Sequence, residues 1–146
     1  MSNNSTNTEE IVLEDNQILC VLTGEAKKSS PKEENLQSTI RMLNEEYGFD
    51  IFDMQRDFTI NYLDPETMKN KKQKVELVIF DKDAKHEQEN IIRIAAVQDD
   101  KTKDTDKKKG VRMTLENAMA ALDNCEFGLW TNGIDIKYLQ REDDAV

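Results

Sequence analysis

Two apolar runs limit the architectures open to this chain more than any other feature. Val75 to Phe80 (VELVIF) is almost continuously apolar after Glu76, and Ile91 to Val97 (IIRIAAV) is interrupted only by Arg93. A strand with one wet face alternates apolar and polar residues; strands this apolar are covered on both faces and lie inside a sheet. The covers come from helices. Ser29-Ser30-Pro31-Lys32-Glu33-Glu34 is a helix start: a serine cap, proline in the first turn, then acids that suit the positive end of the helix dipole. Leu36, Ile40, Leu43 and Tyr47 follow on one helical face, and Gly48 stops the helix. Gly110 to Leu122 is a second helix, with Val111, Leu115, Ala118, Met119 and Leu122 on one face.

Other segments fill in the order. Asp57 to Leu63 alternates Phe58, Ile60 and Tyr62, a half-buried strand that Asp64-Pro65 ends. Lys69 to Lys74 reads as a basic turn, Asp81 to Asn90 as a polar connection and Asp99 to Lys109 as a charged loop. Glu126 to Thr131 and Ile134 to Leu139 are strands joined at Asn132-Gly133, the strongest two-residue hairpin signal in the chain. Near the N-terminus, Ile11 to Leu13 and Ile18 to Leu22 are short apolar runs that fit a hairpin or an irregular arm. The order α-β-β-β-α-β-β, with a central mixed sheet of about five strands, places the chain in the α/β class. We expect a disordered tail over residues 1–10, a single domain over 11–140, and a polar acidic tail over 141–146.

Composition removes several functions. No apolar stretch is long enough to span a membrane, and Met1 to Glu10 lacks the apolar core of a signal peptide, so a cytoplasmic location is expected. Cys20 and Cys125 form neither a disulfide framework nor a zinc cluster, and both read as small buried thiols. The one histidine, His86, lies in a charged run and reads as a loop residue. Five scattered glycines form no nucleotide-binding motif. The net charge of −10 argues against coating nucleic acid by bulk electrostatics, although it leaves room for a local basic patch.

The segments SPKEE (30–34), EEYGF (45–49), KKQKVELVIFD (71–81), HEQENI (86–91) and FGLWTNG (127–133) resemble the N-terminal nuclease-like domain of type I restriction enzyme R subunits. A related module is fused to some DNA methylases. The similarity runs from about Val21 to Tyr138 and implies the PD-(D/E)xK, restriction-endonuclease-like fold. It also implies a magnesium-dependent endonuclease, in which two carboxylates on neighbouring strands hold Mg²⁺ through hard oxygen atoms. A lysine two residues beyond the second carboxylate shares its face and helps to activate water. By this resemblance the first carboxylate position is Glu76, the second is Ala96 and the lysine position is Gln98. A glutamine–tyrosine pair in the family's second helix falls near Thr114 and Ala118.

The framework therefore matches while two of three catalytic positions are lost. Glu76 is left as a lone candidate metal ligand. Glu33 or Glu34, Asp100 and Lys101 (or Lys103) are possible substitutes in a migrated site. Lys69, Lys71, Lys72 and Lys74, and Lys107, Lys108, Lys109 and Arg112, flank the strand ends where DNA would lie. The expected function is that of a catalytically degenerate domain, needing no cofactor, that binds DNA or a subunit of a restriction or other DNA-processing complex. Two alternatives stay open: an active Mg²⁺-dependent endonuclease component with a rearranged site, and an acidic interaction protein acting on such a complex.

Overall fold

The computed structural model describes residues 12–141. The expected tail at 1–10, and all but Arg141 of the expected tail at 141–146, lie outside the described residues. A short hairpin, β1 (Gln17–Leu19) and β2 (Ala26–Lys28), precedes helix α1 (Pro31–Glu45). The hairpin is present, but the partner of the Ile18 run is Ala26–Lys28 rather than the first apolar run. Then come β3 (Met54–Leu63), β4 (Asn70–Phe80) and β5 (Ile91–Val97). Helix α2 follows as a π-helical turn, Arg112–Glu116, running into Asn117–Ala120. Strands β6 (Phe127–Thr131) and β7 (Ile136–Gln140) are the last elements among the described residues.

The five long strands form one sheet in the order β3-β4-β5-β6-β7. Only β5 and β6 are parallel; such a pair needs a crossover, and the segment carrying α2 supplies it. This is the mixed α/β architecture expected of a restriction-endonuclease-like fold. Among the described residues no helix is long and apolar enough to cross a membrane.

The two central runs behave as their composition requires. Leu77, Ile79, Ala95 and Val97 meet Leu36, Ile40 and Leu43 of α1 on one face. Val78, Phe80, Ile94 and Ala96 meet Leu115, Ala118, Met119 and Leu122 of α2 on the other. Gly128 lets α2 approach β6, because a Cβ there would stand 2.7 Å from Met119 Sδ and 2.8 Å from Leu115 Cδ1. Ser30 caps α1 through the Glu33 N–H at 3.1 Å. Tyr47 falls outside the helix and is exposed, because α1 ends at Glu45.

Two local expectations are corrected. The lysine run is no turn: from Asn70 it is the first half of β4, with Lys72 opposite Asn61 and Lys74 opposite Thr59. Pairing with β3 overrides the weak strand propensity of lysine. The last hairpin turns one residue later than Asn132-Gly133. Asn132 N–H bonds the Asp135 carbonyl at 3.3 Å, leaving Gly133-Ile134 at the tip. Gly133 takes φ +91, and the Asn132 side chain accepts from Ile134 and Asp135 N–H groups.

A buried polar network joins the layers near the start of α1. Arg56 on β3 grips Glu33 with two parallel hydrogen bonds of 2.8 and 2.7 Å. Gln37, fully buried, donates to Glu33 at 2.9 Å and accepts from Val21 N–H at 2.9 Å. Arg56 also reaches Cys20 Sγ at 3.4 Å. Burial pushes the Cys20 thiol up, but hydrogen bonds from Thr23, Arg56 and Gln37 outweigh it and hold it at about 7. The Arg56 hydrogen bonds hold the Glu33 carboxyl below the ordinary glutamate range.

A carboxylate with a depressed folded-state pKa adds stability above its unfolded value, about 4.3, and loses it as pH falls through the folded value. Glu33→Gln is therefore expected to lower the unfolding free energy by about 3 kcal/mol at pH 7. The gap between variant and wild type should narrow as pH falls below about 4. Urea unfolding at neutral and acid pH measures both.

Candidate functional site

Glu76 enters β4 at the point where the apolar run begins. Its neighbours on either side explain how an acid is tolerated there. Val75 and Val78 pack into the same cluster although they are three residues apart, so strict alternation fails between them. The break lies opposite Asp57, a non-glycine residue at φ +53. Strand β3 thus turns over where Glu76 faces it, and the carboxylate is directed along the sheet toward β5.

Glu76 is only 7% exposed and both its oxygens are engaged. Oε1 accepts the Val97 N–H at 3.0 Å, and Oε2 faces Lys32 Nζ at 3.2 Å. Lys32 stands in the first turn of α1, beside the Glu33 that Arg56 holds. Ala96 lies opposite Glu76 when the Leu77–Ala95 register is continued by one step. Its methyl group is buried in the α2-side cluster.

Gln98 is 4% exposed. Its backbone is fixed by two bonds: N–H to the Thr131 carbonyl at 2.8 Å, and carbonyl from the Asn35 side-chain amide at 2.9 Å. Among the described residues its side-chain amide has no hydrogen-bond partner, which in a buried group points to an unfilled polar contact. Asn35 also bonds the Asn132 carbonyl at 2.9 Å, and Asn132 bonds the Thr102 carbonyl at 2.8 Å. The hairpin tip therefore braces the end of β5, and a Cβ on Gly133 would collide with the Asn35 side chain.

Glu76 and Gln98 line one cleft of about 320 Å³. Five lysines, Lys32, Lys72, Lys74, Lys108 and Lys109, line it with them, against that single carboxylate. Two side chains shape its far wall. Trp130, fully buried, donates from its indole to the Lys109 carbonyl at 2.8 Å. Gln73 donates to the Met113 and Thr114 carbonyls of the π-helical turn at 3.2 and 2.7 Å. Thr114 lines the cleft, while Ala118 is buried in the core.

The other sequence candidates fall elsewhere. Lys71 and Lys107 line a neighbouring cleft beyond Tyr62, and Lys71 is paired with Asp64 at 2.7 Å. Glu34, Asp100, Lys101 and Lys103 are exposed and outside the wall of the Glu76 cleft. Glu33 is committed to Arg56. His86 stacks on Phe80 with ring centroids 4.2 Å apart, and its ring nitrogens lie 3.1 Å from Gln55 Oε1 and 3.0 Å from the Phe52 carbonyl. Lys32 was not singled out from the sequence as a site residue. Its position two residues after the Ser30 cap fixes which way it points only once α1 is docked.

The sequence segment 31–146 matches the family model described as the type I restriction enzyme R protein N terminus (HSDR_N). This chain belongs to that family. Neither the curated proteins nor the solved structures offered a match.

The resemblance implies Mg²⁺ held between two carboxylates. Magnesium demands near-octahedral oxygen coordination and gives up water reluctantly. Here one carboxylate has both oxygens taken, the facing position is a methyl group, and the next is a neutral amide. No group of three metal-ligating side chains occurs among the described residues. The residues present do not fit the ion, and Lys32 supplies a cation to Glu76 instead.

Truncation should separate the two bonds to Glu76. Glu76→Ala leaves the buried Val97 N–H without its acceptor and is expected to cost about 2 kcal/mol. Glu76→Gln keeps an acceptor and loses only the ion pair to the partly exposed Lys32, an effect of less than about 1 kcal/mol. Chemical denaturation of both variants tests the order.

Proposed function

We propose that this domain is a catalytically degenerate member of its family that binds DNA without a metal, as a component of a cytoplasmic restriction system. The single observation that carries the reading is the occupancy of Glu76: backbone on one oxygen, an ammonium on the other. An acid held this way is a support for Lys32 rather than a metal ligand. The cleft then presents cations where a nuclease would present carboxylates.

A phosphodiester suits such a cleft. Lys32 offers charge from the helix side, and Lys72, Lys74, Lys108 and Lys109 offer it from the rim. The Gln98 amide, without a partner among the described residues, can donate a hydrogen bond to a phosphate oxygen at the floor. The acidic total does not oppose this, because the screening length at physiological salt is about 8 Å and the local field dominates contact. Grip through phosphates positions DNA but reads no sequence. The exposed placement of Asp100 and Glu34 disfavours the alternative of an active enzyme with a migrated site.

Fluorescence anisotropy with a short duplex, in EDTA, tests the binding. Affinity should fall linearly on a log–log plot against salt, and Lys72→Ala and Lys108→Ala should each lower the slope by about 0.9. Plasmid nicking with Mg²⁺ and Mn²⁺ tests the chemistry. We expect no nicking by the wild type and nicking by a Glu76→Asp, Ala96→Glu, Gln98→Lys variant, which restores the family's donor set. Wild-type nicking that Glu76→Ala abolishes would overturn the proposal.

A further inference from the structure

The two edges of the sheet are treated differently. Strand β3 is closed to further pairing. The Gln88 side chain bonds both the N–H and the carbonyl of Asn61, each at 2.8 Å, as a neighbouring strand would. The left-handed turn at Asp57 bends the same edge. Bulges and plugs of this kind are how sheets blunt an edge.

Among the described residues, strand β7 has neither device. Arg141 N–H bonds the Glu126 carbonyl at 2.8 Å, and Asn132 N–H bonds the Asp135 carbonyl at 3.3 Å. With the register Gly128–Leu139 and Trp130–Lys137, residues 135, 137, 139 and 141 turn their backbone groups toward β6. The backbone groups of Ile136, Tyr138 and Gln140 therefore face outward. The side chains around them are apolar and exposed: Ile134 is 73%, Ile136 44% and Tyr138 61% accessible. The only charge in β7 is Lys137, which is tied to Asp104 at 3.5 Å.

We infer that β7 pairs antiparallel with β7 of a second copy of this chain, about a two-fold axis at Tyr138, to make one continuous ten-stranded sheet. The outward parity leaves little choice of register. Tyr138 bonds Tyr138, and Ile136 bonds Gln140, so every outward N–H and carbonyl of the strand finds a partner. The side chains agree with that register. Lys137 comes opposite Leu139, Ile136 opposite Gln140, and Asp135 of the second copy opposite Arg141, whose guanidinium already donates to the Cys125, Met119 and Leu122 carbonyls of its own chain. No like charges face each other, which matters in a chain of net charge −10. Beside the axis on the α1 side, Tyr138, Tyr47 and Leu43 border an apolar groove of about 470 Å³, which the second copy's Tyr138 and Ile136 adjoin. The pairing is remote from the Glu76 cleft and does not depend on DNA binding.

Sedimentation velocity over a concentration series, with no DNA, reads the association directly. The wild type is expected to pass from monomer to dimer. Tyr138→Pro removes an outward N–H from each copy while leaving every β6–β7 bond in place, since proline is tolerated on an edge. It should raise the dissociation constant by roughly thirtyfold with unchanged circular dichroism. The register has its own test. Ile136→Glu/Gln140→Glu puts like charges opposite each other and should dissociate the dimer, whereas Ile136→Glu/Gln140→Lys puts opposite charges there and should keep it. A wild type that is monomeric at every concentration overturns the proposal and leaves the edge to a different chain. A dimer unaffected by Tyr138→Pro and by the like-charge pair overturns it equally.

Discussion

The grip of Arg56 on Glu33 is the constraint from which the rest of the site follows. It is nearly dry, bidentate and shared by three parts of the fold: the N-terminal hairpin through Cys20, helix α1 through Glu33 and Gln37, and strand β3 through Arg56 itself. A planar guanidinium against a planar carboxylate fixes orientation as well as distance. That orientation sets the first turn of α1 over the sheet and delivers Lys32 to Glu76. The same arginine holds the Asp57 carboxylate at 2.9 Å, next to the backbone turn that redirects Glu76. One ion pair thus organises both partners of another.

The relation between the two pairs explains how an acid is held in a nearly buried stretch of strand. A lone carboxylate at 7% exposure would be costly without partners. Val97 N–H and Lys32 satisfy it. Glu76 thereby ties β4 to the backbone of β5 and to the first turn of α1. Its longer side chain, compared with an aspartate, lets it span from β4 to the backbone of β5.

Much of the frame was legible in the sequence because it rests on burial and local geometry. The runs VELVIF and IIRIAAV could only be central strands, and the Ser30 cap and the Leu36, Ile40, Leu43 stripe defined α1 directly. The family resemblance carried Glu76 and Gln98 to positions that share a cleft. What the sequence withheld depends on contacts distant along the chain. Lys72 and Lys74 read as turn residues because their strand character is imposed by β3. Lys32 meets Glu76 only through the docking of α1, 44 residues away. The burial of Gln98 follows from Asn35 and Thr131, and nothing near residue 98 announces it. The shift of the last turn to Gly133-Ile134 arises from the Asn132 amide, which serves the turn, and from Asn35, which packs against the tip.

The single tryptophan gives the molecule a built-in optical readout. Trp130 is fully buried on β6, yet its indole N–H is committed to a carbonyl of the lysine loop that forms one wall of the cleft. Indole emission depends on the polarity and hydrogen bonding of this one site. A ligand that shifts the backbone at Lys109 alters this bond, and so changes the colour or intensity of the protein's own fluorescence without a dye or a tag.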